Sequence, residues 1–497
     1  MNILFRADGN PEIGAGHIMR CLSLAQALQD QGGEAVFLSS DLDTAYAKRL
    51  KEEQCTVCAL KSTAFSKEDA DETLKQAKKL DARWIVLDGY GFTPEYQKRV
   101  KGSGVSVLVI DDHRYAEAHT CDMLLNQNPQ CENTYKHATV KTMLLGMRFA
   151  MLRREYGKKQ PTSYAPSGRG KRVLITLGGS DPKNMTPVVI RSLKGMAIEG
   201  TVIIGGASAN EADVKKAMKE SGLDLTLQKN VQDMAAVIAE HDFAITAAGS
   251  TCLELAFMGV PAATIIVADN HNQDGMASGL AQAGATVHLG FYRELKETKI
   301  AASLEAILQD AVKLQTMSNR ARALIDGQGA ERVLMRMTEN RLRLRNAREE
   351  DCKMIWEWAN DPVTRQTSFS SEDIPWETHV AWFRQKLNDG NHRFYVAFNE
   401  NDEPVGQLRF DCEGKDATIS VSIAPAMRGK KYATELVTLG CRYVLAEGKS
   451  TINAFIKPEN AASVAVFTKA GFEATKPTTL KGHTALHYIL NKNTLKA

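Results

Sequence analysis

The amino-acid sequence predicts an α/β chain: two doubly wound, parallel-sheet halves followed by a separate α+β module. Three observations carry that expectation. As far as about Glu339, short apolar runs alternate with amphipathic stretches at helical spacing, the pattern of βαβ units. Between Gly157 and Gly170 the alternation gives way to Lys, Gln, Pro, Ser, Tyr and Gly, the composition of an exposed linker. Beyond Glu339 the strands group around one central helix instead. The expected boundaries fall at residues 1–160, 161–338 and 341–497.

The elements follow in order. Ile3-Leu4-Phe5 open the first half as a strand, and Ile18 to Leu28 carry apolar residues at helical spacing. Ala35–Leu38, Trp84–Leu87 and Val105–Ile110 are further strands of that sheet. In the second half the strands are Arg172–Leu177, Thr201–Ile204, Leu225–Leu227, Phe243–Thr246 and Ala263–Val267, closed by a helical segment from about Ala301 to Met337. Two such Rossmann-like halves form a cleft with the carboxyl ends of both sheets facing inward. In the last module Leu342–Ala347 is a strand, helices cover Glu349–Asn360 and Trp376–Leu387, and Phe394–Asn399 pairs with Pro404–Cys412 as a hairpin. Ala417–Ala424 and Ser450–Ile456 are strands flanking a helix from Arg428 to Glu447, and Ala461–Ala470 is the final helix.

Composition narrows the function. A chain of 497 residues is too long for one core, and 43% hydrophobic with 24% charged residues is the make-up of a soluble globular protein. A net charge of +3 gives no reason to expect nucleic acid or an anionic membrane as partner. No apolar run approaches the ~20 residues that span a bilayer. The chain opens on a strand rather than on a charged and apolar leader, so a cytoplasmic protein is expected. Its nine scattered cysteines, an odd number, suit a reducing compartment. Cys55 and Cys58 form a lone CxxC without the further ligands that zinc needs, so they are read as strand residues and no metal is expected.

The motifs that carry chemistry lie at the ends of strands. Gly14-Ala15-Gly16-His17-Ile18-Met19-Arg20 puts a histidine at a glycine-rich turn before a helix. Helix N–H groups there favour negative charge in the cleft and a neutral imidazole that accepts protons. Leu177-Gly178-Gly179-Ser180-Asp181 ends a strand of the second half, and Ala247-Ala248-Gly249-Ser250-Thr251 opens the helix containing Glu254. Such a start offers N–H groups and hydroxyls to a diphosphate, and Glu254 an acceptor for ribose hydroxyls. An ordinary Ser/Thr cap would explain Ser250-Thr251 alone; the opposing His17 and Gly178-Gly179 favour a site. Asn270-His271-Asn272-Gln273 is dense in groups that bind sugar hydroxyls. Asp88-Gly89-Tyr90 and Asp111-Asp112-His113 end first-half strands and face the same cleft, with Asp111 and Asp112 read as sugar-binding or structural.

The segments FRADGNPEIGAGHIMRCLSLAQAL, LLGMRFAMLRREY, LGGSDPKN and AAGSTCLELAFMGVPA, with NHNQ after them, resemble the UDP-sugar hydrolase family of pseudaminic acid biosynthesis over about Met1 to Thr338. That family is similar to small glycosyltransferases of the two-Rossmann, glycosyltransferase-B type, with water replacing the sugar acceptor. The resemblance implies that His17 is the catalytic base and that water attacks the anomeric carbon with inversion. UDP and the free 2,4-diacetamido-2,4,6-trideoxy-L-altrose would then leave. With that resemblance, Arg6, Asp8, Gly16 and Arg20 are expected to bind substrate beside the groups of the strand-end motifs, Gly178, Gly179, Gly249, Ser250, Thr251, Glu254, Asn272 and Gln273, with Tyr90 and Asn272 chosen as the sugar contacts near the reaction centre.

In the last module, Ile419–Pro425 running into Met427-Arg428-Gly429-Lys430-Lys431-Tyr432-Ala433, together with Asn460 to Phe472, resembles the GNAT superfamily of acetyl-CoA-dependent N-acetyltransferases over about Leu342 to Ile489. A turn of N–H groups from Arg428 to Ala433 suits a pyrophosphate, and splayed strands suit pantetheine amides. The resemblance implies that acetyl-CoA is held by Ile423, Arg428, Gly429, Lys430, Lys431, Tyr432, Ala433, Asn460, Ser463 and Lys469. Lys431 stands where the family usually has glycine, and Phe467 where many members have a tyrosine that protonates the leaving thiolate. No general base stands out: Glu413 and His379 are the candidates, each better explained as a surface residue or part of the acceptor pocket. Trp356-Glu357-Trp358, Ser368, Phe369 and His379–Phe383 resemble the acceptor side of sugar N-acetyltransferases, in particular those acetylating a UDP-4-amino-sugar.

Together these readings describe a bifunctional enzyme with a UDP-sugar and acetyl-CoA as its small-molecule partners. Two other classes fit part of the pattern: a glycosyltransferase fused to an acetyltransferase, and a nucleotide-sugar sensor with an inactive acetyl-CoA-binding domain.

Overall fold

Both faces of a parallel sheet are covered by helices, so its strands read as unbroken apolar runs. Trp84–Asp88 and Ala262–Ile266 are buried at every position for that reason. The computed structural model describes residues 1–10, 13–112, 118–131, 135, 140–159, 172–179, 181–205, 210–267 and 271–492, with the side chains of 158 and 271–274 also outside it. The chain divides into two compact units, one of Asn2–Gln26 with Glu34–Ala330, the other of Met1, Ala27–Gly33 and Glu331–Ala497.

The first unit holds two parallel sheets. One comprises β1 (Asn2–Ala7), β2 (Glu34–Ser39), β3 (Thr56–Ala59), β4 (Trp84–Asp88), β5 (Ser106–Ile110), β6 (Met123–Asn126) and β7 (Thr142–Leu145), in the order β3-β2-β1-β4-β5-β6-β7. The other comprises β8 (Arg172–Thr176), β9 (Glu199–Ile204), β10 (Asp224–Lys229), β11 (Phe243–Ala247), β12 (Ala262–Ile266) and β13 (Thr286–Phe291), in the order β10-β9-β8-β11-β12-β13. In each the strand order reverses beside the first strand, between β1 and β4 and between β8 and β11. Loops leaving such neighbours diverge to opposite faces and open a crevice at the carboxyl ends. The segment expected as one closing helix is three, Glu297–Leu308, Ala311–Leu324 and Gly329–Thr338, because Asp310 caps the second by accepting from the Lys313 N–H.

Arg6 corrects a sequence expectation. It points from β1 into the core, wholly buried, and is shared by Asp8 at 2.8 Å and Asp69 at 2.7 Å, with Phe65 and Phe92 stacked on its guanidinium. Asp8 is also a scaffold group, accepting from Ser39 Oγ and the Ser40 N–H at 2.8 Å each. A β-strand sends alternate side chains to opposite faces, so the motif that ends in His17 begins with residues turned inward. Asp69 accepts from the Tyr96 hydroxyl and the Phe65 N–H as well. Asp69→Ala strands a buried cation and is expected to destabilise the unit by about 3–5 kcal/mol, read from its denaturant midpoint.

The second unit carries a mixed sheet: β14 (Leu342–Asn346), β15 (His392–Asn399), β16 (Pro404–Glu413), β17 (Asp416–Ile423), β18 (Thr451–Ile456), β19 (Glu473–Ala474), β20 (Thr478–Leu480) and β21 (His483–Asn491). Its hairpin of β15 and β16 is antiparallel, as expected from the alternation around residues 400–403.

Candidate active site

The crevice between β1 and β4 holds the expected histidine. After β1, Gly14 turns the chain at φ 86°, and the helix Gly16–Asp30 begins two residues later. His17 sits buried in its first turn. Across the crevice Asp88 ends β4, in register with Ala7 of β1, and its Oδ1 lies 2.6 Å from His17 Nδ1. Arg20, one helical turn on, grips the same carboxylate, with Nε 2.6 Å from Oδ2 and Nη2 2.5 Å from Oδ1, and bonds Asp112 too. Burial alone would raise the Asp88 carboxyl; Arg20 and His17 outweigh it and hold it well below the usual carboxylate range.

An ionised Asp88 this close to Nδ1 requires the proton on Nδ1, leaving the lone pair of the neutral ring on Nε2. Nε2 has no hydrogen-bond partner among the described residues. Tyr90, partly exposed, stands edge-on to the imidazole at 4.9 Å. A carboxylate that orients an imidazole with its other nitrogen open is the arrangement of a general base.

The second crevice, between β8 and β11, is built from the other motifs. Gly178, with φ 86°, and Gly179 follow β8, while Gly249 and Ser250 lead from β11 into the helix Thr251–Met258. Ser250 makes no side-chain capping bond, and the Cys252 N–H already bonds Gly249 O at 3.0 Å. The donors left for an anion are the N–H groups and hydroxyls of Ser250 and Thr251. Gly16, Arg20, Gln127, Arg153, Ser250 and Glu254 line a single small pocket, so the two helix starts confront each other.

Several expected residues do other work. Arg20 lines that pocket, but its guanidinium is spent on Asp88 and Asp112. Glu254 is ion-paired with Arg153 at 3.1 Å and bonded by the Tyr156 hydroxyl, and burial raises its carboxyl in spite of Arg153. Asp111 is buried against His119 Nε2 at 2.9 Å, a structural pair. Asn272 and Gln273 fall in the first turn of the helix His271–Gln282, with side chains outside the described residues, as are His113, Ser180 and Asn270. Asp88 is the residue sequence reasoning underused: it was legible as a carboxylate ending a cleft strand, not as the partner of His17.

In the mixed sheet β17 and β18 pair in parallel only from Asp416↔Thr451 to Thr418↔Asn453. Beyond that point β17 stays with β16 as far as Ile423↔Gly406, while β18 continues with β21. The two strands splay, and Ile419–Ile423 present an open edge that an extended amide ligand can pair with. The helix expected from Arg428 starts at Ala433 instead. Gly429 (φ 76°) and Lys431 (φ 63°) bend the residues before it into a turn, the kind of backbone whose successive N–H groups can cradle an anion. Lys431 holds a left-handed conformation that glycine adopts without strain. Lys430 is exposed, and Tyr432 caps the helix under Arg341, 4.3 Å from its ring.

Arg428 needs correction. Its side chain bonds Asp361 Oδ1 at 2.6 Å and Thr364 Oγ1 at 2.9 Å, and its N–H reaches Pro425 O at 3.4 Å, so the cradle begins at Gly429. The same bond holds the Asp361 carboxyl below its usual range. Asn460 caps the helix Ala461–Lys469 by accepting from the Ser463 N–H at 3.0 Å, and Lys469 is exposed in its last turn. His379 is core: buried, its Nε2 3.1 Å from Cys352 O, among Trp376, Trp382 and Phe383. Glu413 is exposed at the end of β16, and Phe467 packs edge-on against Phe472 in the core.

Residues 173–333 match the glycosyltransferase family 28 C-terminal domain, and residues 341–473 match the acetyltransferase (GNAT) domain. An uncharacterized protein of Methanocaldococcus jannaschii is 22% identical over 497 aligned residues, covering 96% of this chain and 97% of its own. The UDP-2,4-diacetamido-2,4,6-trideoxy-beta-L-altropyranose hydrolase of Campylobacter jejuni is 26% identical over 295 residues, 58% of this chain and 98% of that one. The spore coat polysaccharide biosynthesis protein SpsG of Bacillus subtilis is 23% identical over 350 residues, 67% of this chain and 96% of that one. A family 28-like part related to a nucleotide-sugar hydrolase is thus fused to a GNAT acetyltransferase domain. The first implies a nucleotide sugar, the second acetyl-CoA. No helix among the described residues is long and apolar enough to cross a membrane.

Proposed function

We propose that this chain is a bifunctional enzyme of pseudaminic acid biosynthesis, with working parts at residues 1–160, 161–338 and 341–497. One activity hydrolyses a UDP-2,4-diacetamido-2,4,6-trideoxy-L-altrose to UDP and the free sugar. The other N-acetylates the 4-amino group of the UDP-4-amino precursor. The observation that carries the first is His17, fixed by Asp88 with Nε2 open, on a helix whose Gly16 shares a pocket with Ser250. Nε2 takes a proton from water as the oxygen bonds the anomeric carbon and the carbon–oxygen bond to the diphosphate breaks. The N–H groups of Ser250 and Thr251 receive the charge that develops on the leaving diphosphate, and Gly178, Gly179 and Gly249 leave the backbone open to its approach. Tyr90 and Asn272 are assigned to the sugar.

In the second activity the sugar amine bonds the acetyl carbonyl carbon, the carbon–sulfur bond breaks, and coenzyme A leaves as thiol with the proton the amine gives up. The Gly429–Ala433 cradle, flanked by Lys430 and Lys431, holds the pyrophosphate of the coenzyme, and Ile419–Ile423 pair with its pantetheine amides. The family 28 match favours a second reading, sugar transfer to another acceptor. Incubation of a panel of 4-amino and 4-acetamido UDP-sugars without acceptor separates them by mass spectrometry. Rapid UDP release with free sugar supports hydrolysis, and turnover only on addition of a second sugar or lipid supports transfer.

A further inference from the structure

β16 crosses the mixed sheet with side chains alternating between its faces. Leu408 and Phe410 turn to the helix Ala433–Ala446, where a Cβ on Gly440 would come within 3.4 Å of Phe410. Arg409 therefore faces the opposite side, and its guanidinium lies over the Trp382 ring, 4.9 Å from the centroid. It is partly buried, and among the described residues it has neither a hydrogen-bond acceptor nor an ion-pair partner. The carboxylate that acts on it, Asp411, is already engaged, its Oδ1 holding Lys386 Nζ at 2.7 Å and His392 Nδ1 at 2.9 Å.

A second cation adds to the field. Arg365 acts on Arg409 unfavourably, and spends its own donors on the carbonyls of Ala359, Ser370 and Glu372. Ser420 pairs directly opposite Arg409 in the β16–β17 register, so its hydroxyl stands on the same face. A guanidinium taken partly out of water, with no carboxylate bonded to it and the nearby Asp411 shared with Lys386 and His392, gains from a ligand that supplies an anion.

We infer that Arg409 and Ser420 bind a phosphate of the acetyl acceptor, so that the amine is acetylated while its sugar still carries the nucleoside diphosphate. This rests on the proposed acetyl transfer and names the side chains that read the diphosphate of its acceptor, so that a sugar already released is a poor substrate.

The test uses the full chain with Arg409→Gln, and Arg409→Lys as a variant that keeps the charge. With the UDP-linked 4-amino sugar, Arg409→Gln is expected to raise KM at least about tenfold, the worth of one charge-assisted phosphate bond, with kcat nearly unchanged and partial rescue by Arg409→Lys. The KM for acetyl-CoA stays at the wild-type value, which separates this site from the phosphates of the coenzyme. The wild type prefers the UDP-linked amine over the free amino sugar, and Arg409→Gln erases that preference. Equal losses on both amines, or a change confined to acetyl-CoA, overturn the inference. If the wild type acetylates neither amine, the acceptor reading itself fails; UDP titration then decides for Arg409. One UDP site fewer in Arg409→Gln than in the wild type supports it, and equal stoichiometry overturns it.

Discussion

Asparagine at position 17 is expected to lower UDP release by about 10²- to 10⁴-fold, the range that a positioned general base supplies. Its side chain can still reach Asp88, but it has no nitrogen that can take a proton from water. Acetyl transfer, which belongs to the splayed sheet, continues at the wild-type rate. The pair of readouts separates the two activities in one preparation: UDP by a coupled assay, coenzyme A by thiol titration. Hydrolysis near the wild-type rate in His17→Asn removes the base assignment.

Asp88→Asn strikes the same step from behind. The amide presents N–H to Nδ1, which drives the imidazole proton to Nε2 and closes the nitrogen that water needs. In serine-protease triads the equivalent carboxylate-to-amide change costs about 10⁴-fold in kcat, and a loss of that order is expected here. Arg20 also loses a buried anion, with Asp112 as its remaining partner, and breaking such a pair costs up to about 3–5 kcal/mol. The sign with pH follows from the depressed Asp88 carboxyl. Its contribution to stability is complete above the unfolded aspartate pKa of about 3.9 and is lost as pH falls through the lower folded value. Acid unfolding of the wild type therefore steepens below about pH 4, and Asp88→Asn lacks that part of the slope. His17→Asn keeps Asp88 ionised by Arg20, so the two variants differ in acid even where both are inactive.

The parts of the site legible in sequence are those with a local signature. A glycine turn, a histidine and a helix are contiguous, and so is Gly249-Ser250-Thr251. The role of Asp88 is not local. It depends on β4 lying beside β1, which the strand order decides, and a carboxylate at a strand end carries no mark of its neighbour. Arg6 and Asp8 misled for the converse reason: they sit in the motif, but the two-residue period of β1 turns Arg6 into the core. The strands of four residues at Met123–Asn126 and Thr142–Leu145 are too short for periodicity to announce them. Arg428 read as the start of a helix because its neighbours continue one, whereas the positive φ angles of Gly429 and Lys431 delay it to Ala433. Arg409 lies within the hairpin strand Pro404–Cys412, and that no carboxylate among the described residues bonds it is visible only once the surrounding side chains are placed.

Where water attacks is the most direct test of the His17 account. Hydrolysis of the UDP-linked diacetamido sugar in ¹⁸O-labelled water, with the released UDP weighed by mass spectrometry, reads the bond that breaks. Attack at the anomeric carbon leaves the UDP free of label, and that is the expected result. UDP carrying one heavy oxygen places the attack at phosphorus and contradicts the account.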